Sequence, residues 1–216
     1  SLLFLLNISF SDLINPENGS SINYTHVLFE WDQEENAVSY SFQLSSSESF
    51  NLTIIDIVDE SLIYIDTENL EWESTYYWRI RSNYSDESYG EWSNTFDFSI
   101  GQTRSGAYAL EHNIGSYSDG VTIFSSFFNY FSAAIDNNGN EIWNTGDNDI
   151  VYYNTDLYGQ LFGCYVNNDI ENYLPGIEFS LDSDYIWEEP NDEFLHHELM
   201  QLPNGDYMGL VEVAVD

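Results

Sequence analysis

Two of the four histidines in this chain, His196 and His197, are adjacent, and Glu198 follows them. They lie in "FLHHELMQLPNGDYMGLV", Phe194 to Val211, where an apolar run, a Pro-Asn-Gly turn and a second apolar run read as a β-hairpin. Imidazole titrates near neutral pH, is nucleophilic when neutral and is readily displaced again. Such a pair suits group transfer or acid–base work on an oxygen leaving group. The competing reading is a pair of surface fillers on a strand. Neighbours on a regular strand point to opposite faces. One of His196 and His197 would then face a substrate as the catalytic group, while the other packs or orients. Glu198 is placed to contact substrate or to fix the tautomer of an imidazole beside it.

Other groups with chemical potential read as structural. Cys164 is the single cysteine, so no disulfide forms within the chain. It lies in the apolar "LFGCYV" and reads as a small buried hydrophobe, not a reactive thiol. Asp136, Asn137, Asn138 and Gly139 lack the alternate ligand spacing and distant glutamate of a calcium loop, whereas Asn-Gly between strands is a hairpin turn. No metal or other cofactor is expected. Arg104 precedes the repeats described below and His112 falls in an irregular stretch, so neither is assigned a role.

The elements that must hold the histidines are β-strands. The chain has 216 residues, 43% apolar and 17% aromatic, enough for a sizeable core. From the N-terminal side, "HVLFEW" sets Val27, Phe29 and Trp31 on one face, and "YSFQL" does the same with Tyr40, Phe42 and Leu44. "TYYWRIRS" turns Tyr76, Trp78 and Ile80 inward and Tyr77, Arg79 and Arg81 outward, and "TFDFSI" adds Phe96, Phe98 and Ile100. Period-two runs separated by turn residues predict an antiparallel sandwich. These residues, from Pro16 through "FEW", "VSYSFQLS", "TYYWRIRS" and "EWS" to "FDFSI", resemble the fibronectin type III family. The resemblance covers about residues 12–101. It puts Tyr76 at the tyrosine corner. Arg79 and Arg81 share a face with acids, with Trp92 a candidate for guanidinium–indole stacking, and read as a structural ladder in preference to a ligand site.

Beyond Gly120 the chain repeats itself. "AIDNNGNEIW", ending at Trp143, is echoed by "SLDSDYIW", ending at Trp187, 44 residues later. "YGQLFGC" is echoed by "NGDYMGL": Gly159 to Gly205 is 46 residues, and so is Gly163 to Gly209. "DGVTIF", at Asp119, is a weaker earlier copy. Short strands repeating at this period predict β-propeller blades. The expected fold is therefore all-β: a fibronectin type III-like sandwich at 12–101, a linker at 102–119, and at 120–216 the first blades of a propeller that is incomplete at the C-terminus. Shifting His196 and His197 back by 46 gives Ile150 and Val151, so the blade itself does not require a histidine pair.

"DGVTIFS", "AIDNNGNEIW" and above all "HHELMQLPNGDYMGLV" resemble the arylsulfotransferase family, over the opening portion of its propeller. The resemblance implies an extracytoplasmic six-bladed propeller that moves a sulfuryl group from a phenolic sulfate to a phenol acceptor without a nucleotide donor. It implies that histidines and an arginine at the central channel carry the reaction. His196 and His197 would be the catalytic residues present here and Glu198 a substrate-binding residue. Further channel residues are expected from later blades; the alternative to a nucleophile in this pair is a sulfated histidine from those blades, with the pair here binding sulfate. The competing function is a non-catalytic cell-surface protein that binds a glycan or another protein.

Charge narrows the partners. Lysine is absent, three arginines stand against 38 acids, and the formal net charge is −35. Such a surface repels nucleic acid, which needs a basic footprint. No apolar run is long enough to insert across a membrane. Residues 1–11, with "LLFLL" and a small-x-small pattern before Asp12, read as the remnant of a signal peptide, the alternative being a first strand. The expected location is secreted, periplasmic or cell-surface, and a homo-oligomer or a surface partner fits such a protein.

Overall fold

The computed structural model describes residues 12–107, 120–127, 129–166, 174–190 and 195–211, the side chains of Leu195 and His196 excepted. The proposed leader at 1–11 lies outside the described residues. Seventeen strands and no helix are present among them. The chain divides between Gly101 and Gln102 into two compact units.

The first unit is a two-sheet sandwich. One sheet joins β1 (Leu13–Asn15), β3 (Val27–Trp31) and β6 (Ile63–Asp66) in the order β1-β3-β6. The other contains β2 (Ser20–Ile22), β4 (Ala37–Ser45), β5 (Thr53–Asp59), β7 (Thr75–Tyr84) and β8 (Phe96–Ile100) in the order β2-β8-β7-β4-β5. This is a fibronectin type III-like arrangement. Alternation decides which face is buried: Phe29, Trp31, Phe42, Leu44, Trp78 and Phe98 lose essentially all contact with solvent. Phe29 is the hub, with ring centroids 5.0 Å from Phe42, 5.3 Å from Trp78 and 5.8 Å from Phe98, each edge-on. Such pairs add about 0.5–1.5 kcal/mol each beyond the area they bury. Phe96 is only half-buried, because it sits at the end of β8 opposite Trp78. The tyrosine corner is formed: the Glu71 N–H donates to the Tyr76 hydroxyl at 2.9 Å.

The second unit is built from antiparallel meanders. β9 (Thr122–Ser126), β10 (Phe131–Ile135) and β11 (Glu141–Asn144) form a three-stranded sheet. β12 (Ile150–Thr155), β13 (Leu161–Tyr165), β14 (Gly176–Phe179) and β15 (Tyr185–Glu188) form a complete four-stranded blade. β16 (Leu195–Gln201) and β17 (Tyr207–Val211) form a hairpin.

One five-residue turn accounts for the sequence repeat. At Asp136, Asp156, Ser180 and Leu202, the N–H donates to the carbonyl four residues on, and the N–H three residues on donates back to the first carbonyl. The fourth residue of each turn has positive φ: Gly139 at 82°, Gly159 at 84°, Ser183 at 66° and Gly205 at 88°. That conformation is why glycine recurs at this position. Asp136 to Ser180 spans 44 residues and Asp156 to Leu202 spans 46, so the period contains two turns, one per hairpin. The carboxylate of Asp136 accepts the N–H groups of Asn138 and Asn140, both at 2.8 Å, which commits it to its own turn.

Part of the stretch expected to be a linker is fastened to the second unit. Buried Glu141 accepts the backbone N–H groups of Arg104 and Ser105, each at 2.8 Å, as well as the Ser105 hydroxyl and the Asn144 amide. A buried carboxylate needs such donors, and residues 104–105 supply them. Arg104 donates to the carbonyls of Gly146 and Asn148 and pairs with Asp149 at 3.8 Å. Residues 108–119, with His112 and Asp119, lie outside the described residues.

Candidate functional site

The histidine pair lies on an irregular strand. In the β16–β17 ladder, Leu195 pairs with Val211 and Leu199 with Gly209, so His196, His197 and Glu198 together face the single residue Leu210. This is a bulge of two extra residues, and His197 takes a φ of 65° within it. The expectation that His196 and His197 point to opposite faces rests on a regular pleat, and this pleat is broken. A bulge re-aims side chains, and a non-glycine residue with positive φ stores local strain.

The bulge is anchored at both sides. Leu199 is buried against Phe162 of β13, with Trp187 and Tyr207 around them. Asn154 of β12 donates from its amide to the Leu199 carbonyl at 3.2 Å. The imidazole of His197 is exposed, and its ring centroid lies 5.9 Å from that of Tyr153 at a 55° tilt. The Tyr153 hydroxyl is hydrogen-bonded to the Cys164 side chain and to the backbone of His197. Burial, and the Cys164 sulfur next to it, hold the Tyr153 phenol well above its usual range. Burial likewise pushes the Cys164 thiol up to about 11, against the lowering effect of the Tyr153 hydrogen bond. At neutral pH both groups are protonated, and they form a neutral polar floor beneath the bulge. Cys164 is fully buried, as its apolar run predicts.

Glu198 is exposed on the bulge, and the side chain of His196 is not described. At the repeat-equivalent positions of β12, Ile150 and Val151 are core residues, 0% and 2% exposed. One blade thus spends on its core the position that the next one turns outward. The involvement of Tyr153 carries no sequence signal, because it depends on β12 and β16 being brought side by side. A second buried acid was also missed. Glu178 of β14 accepts from Gln160 at 2.8 Å and from the Tyr207 hydroxyl, while Trp187 stacks flat on Tyr207 at 3.9 Å. Burial, then Glu178, push the Tyr207 phenol up to about 12. No cluster of three or more His, Cys, Asp or Glu side chains suited to a metal ion occurs among the described residues.

A separate candidate surface lies on the sandwich. The Arg79 guanidinium sits 3.8 Å from the Phe50 ring centre and 4.3 Å from that of Trp92. Arg81 sits 4.7 Å from Trp92 and 4.4 Å from Tyr89. The result is an alternating ladder Phe50–Arg79–Trp92–Arg81–Tyr89, with Arg79 also donating twice to Gln43. Rings replace carboxylates as the partners of these cations. Burial and the charge of Arg81 lower the Arg79 pKa, against the opposing effect of Asp56.

No protein-family model and no curated protein matches the chain. Solved structures with partial likeness include an alpha-L-rhamnosidase from Dictyoglumus thermophilum, 17% identical with a TM-score of 0.37 over 60% of this chain. They also include the chicken CNTN1 FN1-FN3 domains, 10% identical with a TM-score of 0.35 over 85% of this chain. The chain spans 17% and 64% of those two chains respectively.

Proposed function

We propose that this chain is the sandwich and opening blades of an exported arylsulfotransferase-like protein that moves a sulfuryl group from a phenolic sulfate ester to a phenol. The observation that carries this reading is the bulge at His196–Glu198, which turns the His197 imidazole outward at a position where the preceding blade buries an aliphatic residue. In this scheme a neutral imidazole nitrogen of the pair attacks sulfur. The S–O bond to the donor phenol breaks, and that phenoxide takes up a proton. The acceptor phenol then loses its proton, attacks the sulfated imidazole and frees the histidine. The sulfuryl oxygens need cationic donors in a chain with only three arginines, and Arg104 is committed to carbonyls and Asp149. The proposal therefore places the channel arginine in further blades.

The test uses full-length protein with p-nitrophenyl sulfate as donor and phenol as acceptor. Nitrophenolate release without a nucleotide, with ping-pong kinetics, is the expected result. His197→Ala should lower the rate by about 10²-fold or more if the imidazole is nucleophile, acid or base. No transfer across a panel of phenols, with the wild-type fold intact, refutes the proposal. A second reading, a surface protein that binds a glycan or a protein, is favoured by the arginine–aromatic ladder. It calls for ligand binding that is lost in Arg79→Ala and unaffected in His197→Ala.

A further inference from the structure

Five Asn-x-Ser/Thr triplets occur in the chain, at Asn7, Asn18, Asn23, Asn51 and Asn83. All five precede Gln102, and none of the 13 asparagines from residue 102 onward begins such a triplet. This triplet is the acceptor signal for N-linked glycan on an exported chain. The fold sorts the four triplets that fall among the described residues. Asn83 is buried, with its amide oxygen accepting from the Ser41 hydroxyl at 3.0 Å and its amide nitrogen donating to Ser39 at 3.2 Å. A glycan there is incompatible with the sandwich. Asn23 is half-buried with its side chain wedged against Gly101, so close that a Cβ on that glycine would lie 2.3 Å from its amide oxygen. Thr25, the third residue of that triplet, is buried. Asn18 is exposed, but its side-chain oxygen accepts the Asp97 N–H at 3.0 Å, tying it to β8.

Asn51 is different. It lies in the loop between β4 and β5 and is exposed, and no hydrogen bond holds its carboxamide among the described residues. The loop around it is fixed. Phe50 lies under Arg79, the Ser45 hydroxyl donates to the Leu52 carbonyl at 3.0 Å, and the Thr53 hydroxyl donates to the Phe50 carbonyl at 2.9 Å. With Phe50 turned to the sheet face, Asn51 is turned to solvent. The loop leads into β5, an edge strand, and β6 is the edge of the opposite sheet. Leu52, Ile54, Val58, Ile63 and Ile65 are exposed along these two edges. Unpaired edges with apolar side chains are templates for aggregation unless something covers them.

We propose that Asn51 is an N-glycosylation site and that its glycan covers this edge. The inference rests on the exported location proposed above. In the transfer, the Asn51 amide nitrogen bonds to the anomeric carbon of a lipid-pyrophosphate-linked oligosaccharide. The bond from that carbon to the pyrophosphate oxygen breaks, the lipid pyrophosphate leaves, and one amide proton passes to a base of the transferase.

The full chain is expressed behind a supplied secretion leader in a eukaryotic host, so that export does not depend on the chain's own N-terminus. Site occupancy is read by mass spectrometry of glycopeptides from secreted and lumenal protein. Glycan on the Asn51 peptide, an unmodified Asn83 peptide on folded protein, and loss of one glycan in both Asn51→Gln and Thr53→Ala are expected. Unglycosylated protein from either variant should aggregate more readily than wild type. An empty Asn51 on folded, exported chain, or an occupied Asn83, overturns the proposal. Glycan at Asn51 in a protein without sulfuryl transfer would refute the enzyme and leave this site standing.

Discussion

His197 sits in a strand bulge and Asp136 in a hairpin turn, and the two are of opposite character. His197 holds a positive φ, which is uncommon outside glycine, and leaves its ring exposed. Asp136 spends both carboxylate oxygens on its own turn. Burial raises the Asp136 pKa, but hydrogen bonds from Asn140 and Asn138 outweigh that, and the net shift is downward. A carboxyl lowered on folding stabilises the folded state above its unfolded pKa, near 3.9, and that contribution is lost as pH falls through the folded value. Asp136→Asn should therefore flatten the acid limb of the second unit's unfolding curve below about pH 4. Because the carboxyl is only partly buried and bonded within its own turn, its loss at neutral pH should cost no more than about 1 kcal/mol. Denaturant melts of both proteins from pH 7 to pH 2 check this, and parallel curves would count against the assignment.

At the scale of elements, the β12–β13 pair is specified by Gly163. A Cβ at this position would lie 2.2 Å from the Val151 carbonyl oxygen and 3.2 Å from the Tyr152 Cα. Those atoms are backbone of the neighbouring strand and yield only if the strands separate. Gly163→Ala is expected to destabilise the second unit by about 1–3 kcal/mol, the usual cost of overpacking, and to leave the sandwich transition unchanged. Two-transition calorimetry separates the two effects. The 46-residue spacing of Gly159 and Gly205 was legible because the positive φ each turn demands is local to its own hairpin. The inward faces of the sandwich strands were legible for a similar reason: alternation alone places Phe29, Phe42 and Trp78 on one side. Phe96 departs from the pattern because it opens its strand, and strand boundaries are not encoded by alternation.

For the whole molecule, charge is the governing variable. With 38 acids and three arginines spread over both units, folding compresses like charges at every pH where the carboxylates are ionised. Screening shortens that repulsion from about 10 Å at 0.1 M salt to about 3 Å at 1 M. The melting temperature should therefore rise with sodium chloride over this range, in both units and without change of fold. A flat or falling dependence, followed by circular dichroism, would show that the acids are already neutralised by a route other than screening.

Alternation, turn residues and repeat spacing determined the all-β class, the sandwich and the blade meanders, because each is a short-range constraint written in consecutive residues. Composition likewise set the net charge. Tertiary structure alone decided the bulge that breaks the pleat at His196–Glu198 and the Tyr153–Cys164 floor beneath it. It also decided the latch of residues 104–105 onto Glu141, and which asparagines of the sandwich stand open to solvent. The physical reason is the same in each case. A register shift, a buried acid's choice of donors and the exposure of an amide depend on strands far apart in sequence meeting at one place, and no local pattern records where they meet.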